Sequence, residues 1–217
     1  MQKIALIVAG GTGSRMNSTI PKQFLLLKGT PILMHTLKQF SHFDEIVLVL
    51  PKSQFNYWGE LISKYGFNIN HNLVAGGKTR FHSVKNGLEK IEKHNTVIAI
   101  HDGVRPLIST TLINNLVAET KTGIGVIPII PVKNSIRKIE RGNSVHIDRS
   151  NLYKVQTPQS YLSADIKNAY TQEFSELFTD DASVFEANGG KIKTILGDEK
   201  NLKITTQEDM KFAEVLI

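Results

Sequence analysis

Four short apolar runs, each bounded by turn residues, constrain this chain most: Ile4–Ala9, Glu45–Leu50, Thr96–Ile100 and Gly125–Ile130. They are rich in Ile and Val and lack strict alternation, the pattern of strands covered on both faces. Between them lie segments with helical spacing. Pro31–Phe40 sets Ile32, Leu33, Thr36, Leu37 and Phe40 along one face. Gln54–Tyr65 and Arg80–Ile91 read similarly, the latter through Phe81, Val84, Leu88 and Ile91. Ser109-Thr110-Thr111-Leu112 begins another helix with a hydroxyl cap. Strands alternating with helices predict an α/β fold: a mostly parallel, twisted sheet with helices on both faces and right-handed crossovers.

The rhythm breaks at Pro131. Val132–Asp148 reads as two extended segments around Arg141-Gly142-Asn143, a hairpin carrying Lys133, Arg137, Lys138 and Arg141 against Glu140 and Asp148. Such a hairpin has too little apolar surface to stand alone, so it either lies on the body or reaches another chain. Helical patterns resume at Ser163–Tyr170 and Asp181–Ala187, followed by a strand at Lys191–Leu196, an extended Asn201–Ile204 and a closing helix from Thr206. At 217 residues, with no repeat or linker, the chain reads as one domain with residues 132–148 as an excursion.

Composition closes off several classes of chemistry. The chain has no cysteine, which excludes disulfide scaffolds, thiolate metal sites and cysteine nucleophiles. The six apolar residues after Lys3 are too few for a signal-peptide core, and no run approaches the ~20 residues of a membrane span. A cytoplasmic protein without membrane partners is expected. The 26 Lys and Arg exceed the 20 Asp and Glu, for a net +6. That excess suits anionic ligands but is too mild to indicate nucleic acid.

The first strand ends in Ala9-Gly10-Gly11-Thr12-Gly13-Ser14-Arg15-Met16, with Pro21-Lys22-Gln23 following. A glycine-rich turn there lets backbone N–H groups approach phosphate oxygens without Cβ obstruction. Two standard nucleotide motifs fail: the third glycine of a dinucleotide fingerprint falls at Met16, and the first glycine of a P-loop ending in Gly77-Lys78-Thr79 falls at Asn72. What remains is either a phosphate-cradling loop with Arg15 and Lys22 as its cations, or a tight turn with exposed basic residues.

His101-Asp102-Gly103-Val104-Arg105-Pro106 follows the third apolar run, where ligands of parallel sheets gather. Asp102 there suits Mg²⁺, a hard cation that accompanies polyphosphates, or else caps a turn beside Arg105. Further polar islands stand at Asp148-Arg149, Gln156-Thr157-Pro158-Gln159, Thr179-Asp180-Asp181 and around Lys203. Each alone reads as a turn or a helix cap. There is no G-x-S-x-G elbow and no zinc constellation.

Taken in order, these pieces resemble the 2-C-methyl-D-erythritol 4-phosphate cytidylyltransferase family across essentially the full chain. The motifs are Ala9-Gly-Gly-x-Gly-x-Arg15-Met16, Pro21-Lys22-Gln23, Gly76-Gly77-x-x-Arg80-x-x-Ser83-Val84 and His101-Asp102-x-x-Arg105-Pro106. They continue through Pro131-Val-Lys-Asn-Ser135, Asp148-Arg149, Gln156-Thr-Pro-Gln159, Thr179-Asp-Asp-Ala-Ser183 and Asn201-Leu-Lys203-Ile-Thr205. The resemblance implies a Rossmann-like nucleotidyltransferase with a protruding β-hairpin arm. The expected reaction is cytidylyl transfer from CTP to methylerythritol phosphate, with Mg²⁺.

Residue by residue, the resemblance implies that Arg15 and Lys22 touch the triphosphate on a loop of Ala9, Gly10, Gly11 and Gly13. Gly76, Gly77 and Ser83 would read the cytosine, with backbone atoms of Ala9 and Gly10. Asp102 and Arg105 fall to the acceptor and metal neighbourhood, Lys203 to the reacting phosphates, and Thr157 and Thr179 to the pocket lining. Ser135 and Arg149 would bind the acceptor phosphate, with the arm crossing to a partner in a homodimer.

The chain departs from the family's usual pattern at Val8-Ala9-Gly10-Gly11, where Pro-Ala-Ala-Gly is common, at Asn134-Ser135, where Asp-Thr is common, and at Lys78, where an acid is common. Its loop and its Asn201-Leu-Lys-Ile-Thr-Thr206 also resemble ribitol-5-phosphate cytidylyltransferases, the alternative reading. The hairpin, Thr179–Glu186 and Asp148 favour methylerythritol phosphate. A non-catalytic nucleotide- or nucleic-acid-binding domain lacks support, because the hairpin has Tyr153 nearby but no ladder of aromatics. An NAD-dependent oxidoreductase would want an acid where Leu50-Pro51 stand.

Overall fold

β1 (Lys3–Val8) is buried at every residue after Lys3, as its unbroken apolar run predicts. It belongs to a computed structural model that describes residues 1–11, 20–92 and 95–217. Beyond Pro21 a short 3-10 turn, Lys22–Phe24, leads into a small antiparallel hairpin of β2 (Leu26–Leu27) and β3 (Thr30–Pro31). Then come α1 (Ile32–Gln39), β4 (Glu45–Leu50), α2 (Phe55–Tyr65), β5 (Asn72–Ala75) and α3 (Arg80–Lys90). β6 (Val97–Asp102), α4 (Thr110–Glu119) and β7 (Ile124–Pro131) follow, then the arm strands β8 (Ile136–Glu140) and β9 (Asn143–Ile147). The chain finishes with β10 (Tyr153–Val155), β11 (Gln159–Leu162), α5 (Ser163–Ala169), α6 (Asp181–Ala187), β12 (Lys191–Leu196) and α7 (Gln207–Leu216).

β1 pairs in parallel with β4 and β6, and β4 with β5. Residues alternate between the sheet's two faces, so β1 feeds two cores at once. Ala5 and Ile7 pack with Leu33 and Leu37 of α1, Trp58 of α2 and Leu112 of α4. Ile4, Leu6 and Val8 pack with Phe81, Val84 and Leu88 of α3, Ile166 of α5 and Phe185 of α6. A third cluster joins Leu27, Ile32, Val104 and Ile204 to Met210 and Ala213 of α7.

The sheet is mixed rather than wholly parallel. β11 runs antiparallel to both β6 and β7, while β12 is parallel to β7. Ile129 pairs with both Val155 and Leu196, so β10 and β12 occupy opposite edges of β7. β11 escapes a search for apolar runs because Gln159 and Ser160, half of it, are polar yet buried. β6 also reaches two residues beyond Thr96–Ile100, because Val8 of β1 still pairs with Asp102. His101 and Asp102 thus close the strand rather than follow it. The expected extended segment Asn201–Ile204 forms no strand and is tied in by the Ile204 N–H donating to the Val104 carbonyl at 2.9 Å. No helix among the described residues is long and apolar enough to cross a membrane.

Candidate active site

Parallel pairing brings the carboxyl ends of β1, β4 and β6 to one side of the sheet, where loops of this fold bind ligands. Gly10 and Gly11 leave β1 there. Their path is fixed by Ala9, whose N–H donates to the Val49 carbonyl at 2.9 Å. The Ala9 carbonyl in turn accepts from Gln23 Nε2 at 3.0 Å. Gln23 is buried and spends its other amide hydrogen on Gln54 Oε1 at 2.7 Å. Lys22, also buried, runs along Gly11: a Cβ on that glycine would sit 3.5 Å from the Lys22 Cε. Gly13 and Arg15 lie outside the described residues.

A second glycine turn faces the first. The Gly76 N–H donates to the Leu50 carbonyl at 2.8 Å, and the Gly77 N–H to Ser83 Oγ at 3.1 Å. Ser83, one turn into α3, donates to the Thr79 carbonyl at 2.9 Å. A side chain on Gly77 would force the turn to shift, because its Cβ would lie 2.4 Å from His82 Cβ and 3.0 Å from the His82 backbone carbon. Gly77 and Ser83 line a cavity of about 290 Å³ together with Ala9, Gly10, Gly11 and Lys22; Gly76 supports it from behind.

Asp102 closes that cavity and is its only lining carboxylate among the described residues. Its Oδ2 receives Lys203 Nζ at 3.0 Å and Arg105 Nε at 3.2 Å, while Oδ1 faces Arg80 Nε at 3.7 Å. Burial alone would raise this carboxyl, but Arg80, Lys203 and Arg105 outweigh it and hold Asp102 well below the usual carboxylate range. Arg105 also donates through Nη1 to the Asn201 carbonyl at 2.8 Å, and Asn201 Nδ2 donates to the Thr157 carbonyl at 2.8 Å. The strand end is therefore bolted to the loop carrying Lys203.

Behind Asp102 stands His101, fully buried. Its Nε2–H donates to the Arg105 carbonyl at 3.1 Å, so Nδ1 accepts from the Thr157 hydroxyl at 3.0 Å. The Thr157 oxygen also accepts the Asp102 N–H at 3.1 Å. Burial pushes the His101 imidazole down to about 4, so it is neutral near pH 7 with one tautomer held by its partners.

A second cavity of about 280 Å³ adjoins the first and shares Arg80, Asp102 and Lys203 with it. Arg105, Thr157, Thr179 and Asp180 stand among its other walls. The structure thus gathers Ala9, Gly10, Gly11, Lys22, Gly77, Ser83, Asp102, Arg105, Thr157, Thr179 and Lys203 around one two-compartment cleft. It leaves Ser135 and Arg149 out: both are exposed, line neither cavity of their own chain, and Arg149 donates to the Lys133 carbonyl within the arm.

Arg80 and Asp181 are the pair that motif reading passed over. Asp180, not Asp181, caps α6, accepting the Ser183 N–H at 2.9 Å in a capping box. Asp181 is fully buried and takes Arg80 bidentately, at 2.8 and 2.6 Å. One signal was available in the sequence. An arginine opening a helix is opposed by the helix dipole, which points to a carboxylate facing it.

The described residues contain no cluster of three or more His, Asp or Glu able to hold a metal unaided. One ionised carboxylate at the junction nevertheless fits Mg²⁺, which is commonly bound through one or two carboxylates with substrate phosphates supplying the rest.

The mostly parallel sheet and a two-compartment cleft lined by glycine turns and cations are those of a nucleotidyltransferase. The profile of the IspD family, 2-C-methyl-D-erythritol 4-phosphate cytidylyltransferase, matches residues 3–217. A relative of that name from Azobacteroides pseudotrichonymphae is 50% identical over 100% of this chain and 99% of its own. One from Bacteroides fragilis is 46% identical over 100% of both. Among solved structures, the Francisella tularensis enzyme of the same name superposes with a TM-score of 0.83 at 28% identity, covering 100% of both chains. This chain belongs to the 2-C-methyl-D-erythritol 4-phosphate cytidylyltransferase family.

Proposed function

We infer that the cleft transfers the cytidylyl group of CTP to 2-C-methyl-D-erythritol 4-phosphate, releasing pyrophosphate and 4-diphosphocytidyl-2-C-methyl-D-erythritol. The observation that carries this reading is the meeting of two compartments at Asp102, in a chain matched throughout by enzymes named for that acceptor. CTP fits the first compartment, with the backbone of Ala9 and Gly10 and the turn at Gly77 against its base, and Gly11 and Lys22 against its phosphates. The acceptor fits the second, beside Arg105, Thr157 and Thr179.

A phosphate oxygen of the acceptor attacks the α-phosphorus in line. The bond to the bridging oxygen breaks, and pyrophosphate leaves with its electron pair. The attacking phosphate is already anionic, so no general base or protein nucleophile is required. The protein's work is alignment and charge stabilisation, through Lys22, Lys203 and, by resemblance, Arg15. Asp102, the carboxylate shared by the two compartments, would hold Mg²⁺. The bound ion supplies neutralisation of phosphate charge. CTP is a cytoplasmic nucleotide, which supports that compartment.

The arm is the proposed dimer contact. Ile139 and Val145 on it, and Tyr153 and Val155 at its base, are exposed apolar residues, and Ser135 and Arg149 line neither compartment of their own chain. The test of the reaction is a pyrophosphate-release assay with CTP crossed against methylerythritol phosphate and ribitol 5-phosphate. Faster turnover of the first is expected. A clear preference for ribitol 5-phosphate would overturn the acceptor while leaving the chemistry in place.

A further inference from the structure

Arg80 stands on the wall common to both compartments, yet it enters the cleft already bound from behind. Its two Nη atoms grip the two oxygens of Asp181, and the Tyr170 hydroxyl donates to Asp181 Oδ1 at 2.6 Å. Neither Asp181 nor Tyr170 lines either compartment. The Tyr170 ring is itself clamped, stacked on Phe81 with centroids 4.8 Å apart. Burial and the neighbouring Asp181 push the Tyr170 hydroxyl well above its usual range, so it remains a donor.

Packing alone does not call for this arrangement. α3 already meets α5 and α6 through Phe81, Tyr170, Val184 and Phe185, and buried ion pairs are often replaceable by apolar residues without loss of stability. What a bidentate fork adds is direction: two parallel bonds fix the plane of the guanidinium. With that plane fixed, Nε faces Asp102 Oδ1 at 3.7 Å, too long for a hydrogen bond but close enough to set the carboxylate's field. Arg105 and Lys203 occupy Oδ2, so Arg80 governs the remaining oxygen at the junction.

We propose that Asp181 and Tyr170 are positioning residues for the reaction, acting through Arg80 to hold the Asp102 carboxylate in register between the two substrates. The proposal rests on the cytidylyl-transfer reading. In that reading the alignment of acceptor and α-phosphorus dominates, and a misplacement of about 1 Å costs roughly a hundredfold.

The test uses Tyr170→Phe, which keeps the ring and removes one hydroxyl, alongside Asp181→Asn, Arg80→Lys and the double variant Arg80→Lys/Asp181→Asn. At saturating substrates kcat should fall about three- to tenfold in Tyr170→Phe, and roughly ten- to a hundredfold in Asp181→Asn and Arg80→Lys. In Tyr170→Phe and Asp181→Asn, whose residues line neither compartment, the CTP dissociation constant should stay within about threefold. The double variant should be no slower than the slower single, because Asp181 acts only through the arginine fork. In ¹⁵N-arginine NMR, the Arg80 Nη hydrogens should give separate resonances in the native protein and an averaged one in Asp181→Asn.

Wild-type-like kcat in folded Tyr170→Phe and Asp181→Asn, with only the melting temperature lowered, would reduce both residues to structural supports. Multiplying losses in the double variant, or averaged Nη signals in the native protein, would equally overturn the proposal. If the native protein fails to release pyrophosphate with either acceptor, the cytidylyl-transfer reading falls instead; the NMR arm then still decides whether Asp181 holds the arginine.

Discussion

Three cations converge on one carboxylate at Asp102, and the neutral histidine behind it shapes how the protein responds to acid. The His101 imidazole is pushed down to about 4 by burial, with the Arg105 carbonyl and Asp102 opposing. Its folded pKa is therefore below its unfolded one, and the unfolded chain binds the extra proton between about pH 6.5 and 4. Stability from this group is present above that window and is lost as pH falls through it. Asp102 has the same sign in a lower window, starting below the ordinary aspartate pKa. Urea unfolding at pH 7 and pH 5 should show a loss of about 1–2 kcal/mol traceable to His101. The His101→Gln variant should be less stable throughout but lack that pH slope. An unchanged slope would mean the imidazole is not held neutral. Lys22 makes a second residue-scale case. Its charge should matter most when the α-phosphorus is crowded, so Lys22→Ala should lower kcat by roughly a hundredfold or more while CTP binding weakens less. Normal turnover at saturation would demote it to a ground-state clamp.

At the scale of elements, the 76–79 turn and the start of α3 are the proposed readers of the base. Cytosine and uracil exchange donors for acceptors at the edge this turn would read, and fixed backbone groups cannot adapt. CTP should therefore be strongly preferred over UTP. Gly77→Ala should erode CTP affinity, because the added Cβ meets His82 at 2.4 Å and the turn must shift. A shift costing about 1–3 kcal/mol would be roughly fivefold to 150-fold in Kd if it falls on the binding conformation. CTP titration against both proteins checks this, and equal affinities would show that the turn does not touch the nucleotide.

The elements also show where sequence reading reached and where it stopped. β1, β4, β6 and β7 were legible because both their faces are covered, leaving long unbroken apolar runs. β5, β10 and β11 have only three or four residues, and β11 hides two buried polar ones. The glycine turns and strand-end acid were legible as local motifs. The Arg80–Asp181 fork was not, because its partners are 101 residues apart and each half looks like ordinary helix-terminus chemistry.

For the whole molecule the question is whose cleft the arm serves. Among the described residues β8 and β9 pair only with each other, Ile139 and Val145 are 66% and 55% exposed, and a two-stranded ribbon of this kind buries too little to hold itself. Exchange of arms across a two-fold axis would cover both arms and bring Arg149 to the neighbouring second compartment. Lys22, buried beside Gly11, stays with its own chain's glycine loop. Mixing Lys22→Ala protein with Arg149→Ala protein under subunit exchange separates the two arrangements. Each variant alone should be nearly inactive. If the site is shared, each mixed dimer contains one cleft with Lys22 from one chain and Arg149 from the other, fully intact, and a second cleft lacking both. Random exchange makes about half the dimers mixed, so activity should recover to about a quarter of the native value. If both residues serve the same chain's cleft, every site stays defective however completely the subunits exchange. Absence of recovery with exchange shown by mass-tagged subunits would return Arg149 to its own chain and leave the arm a surface ribbon.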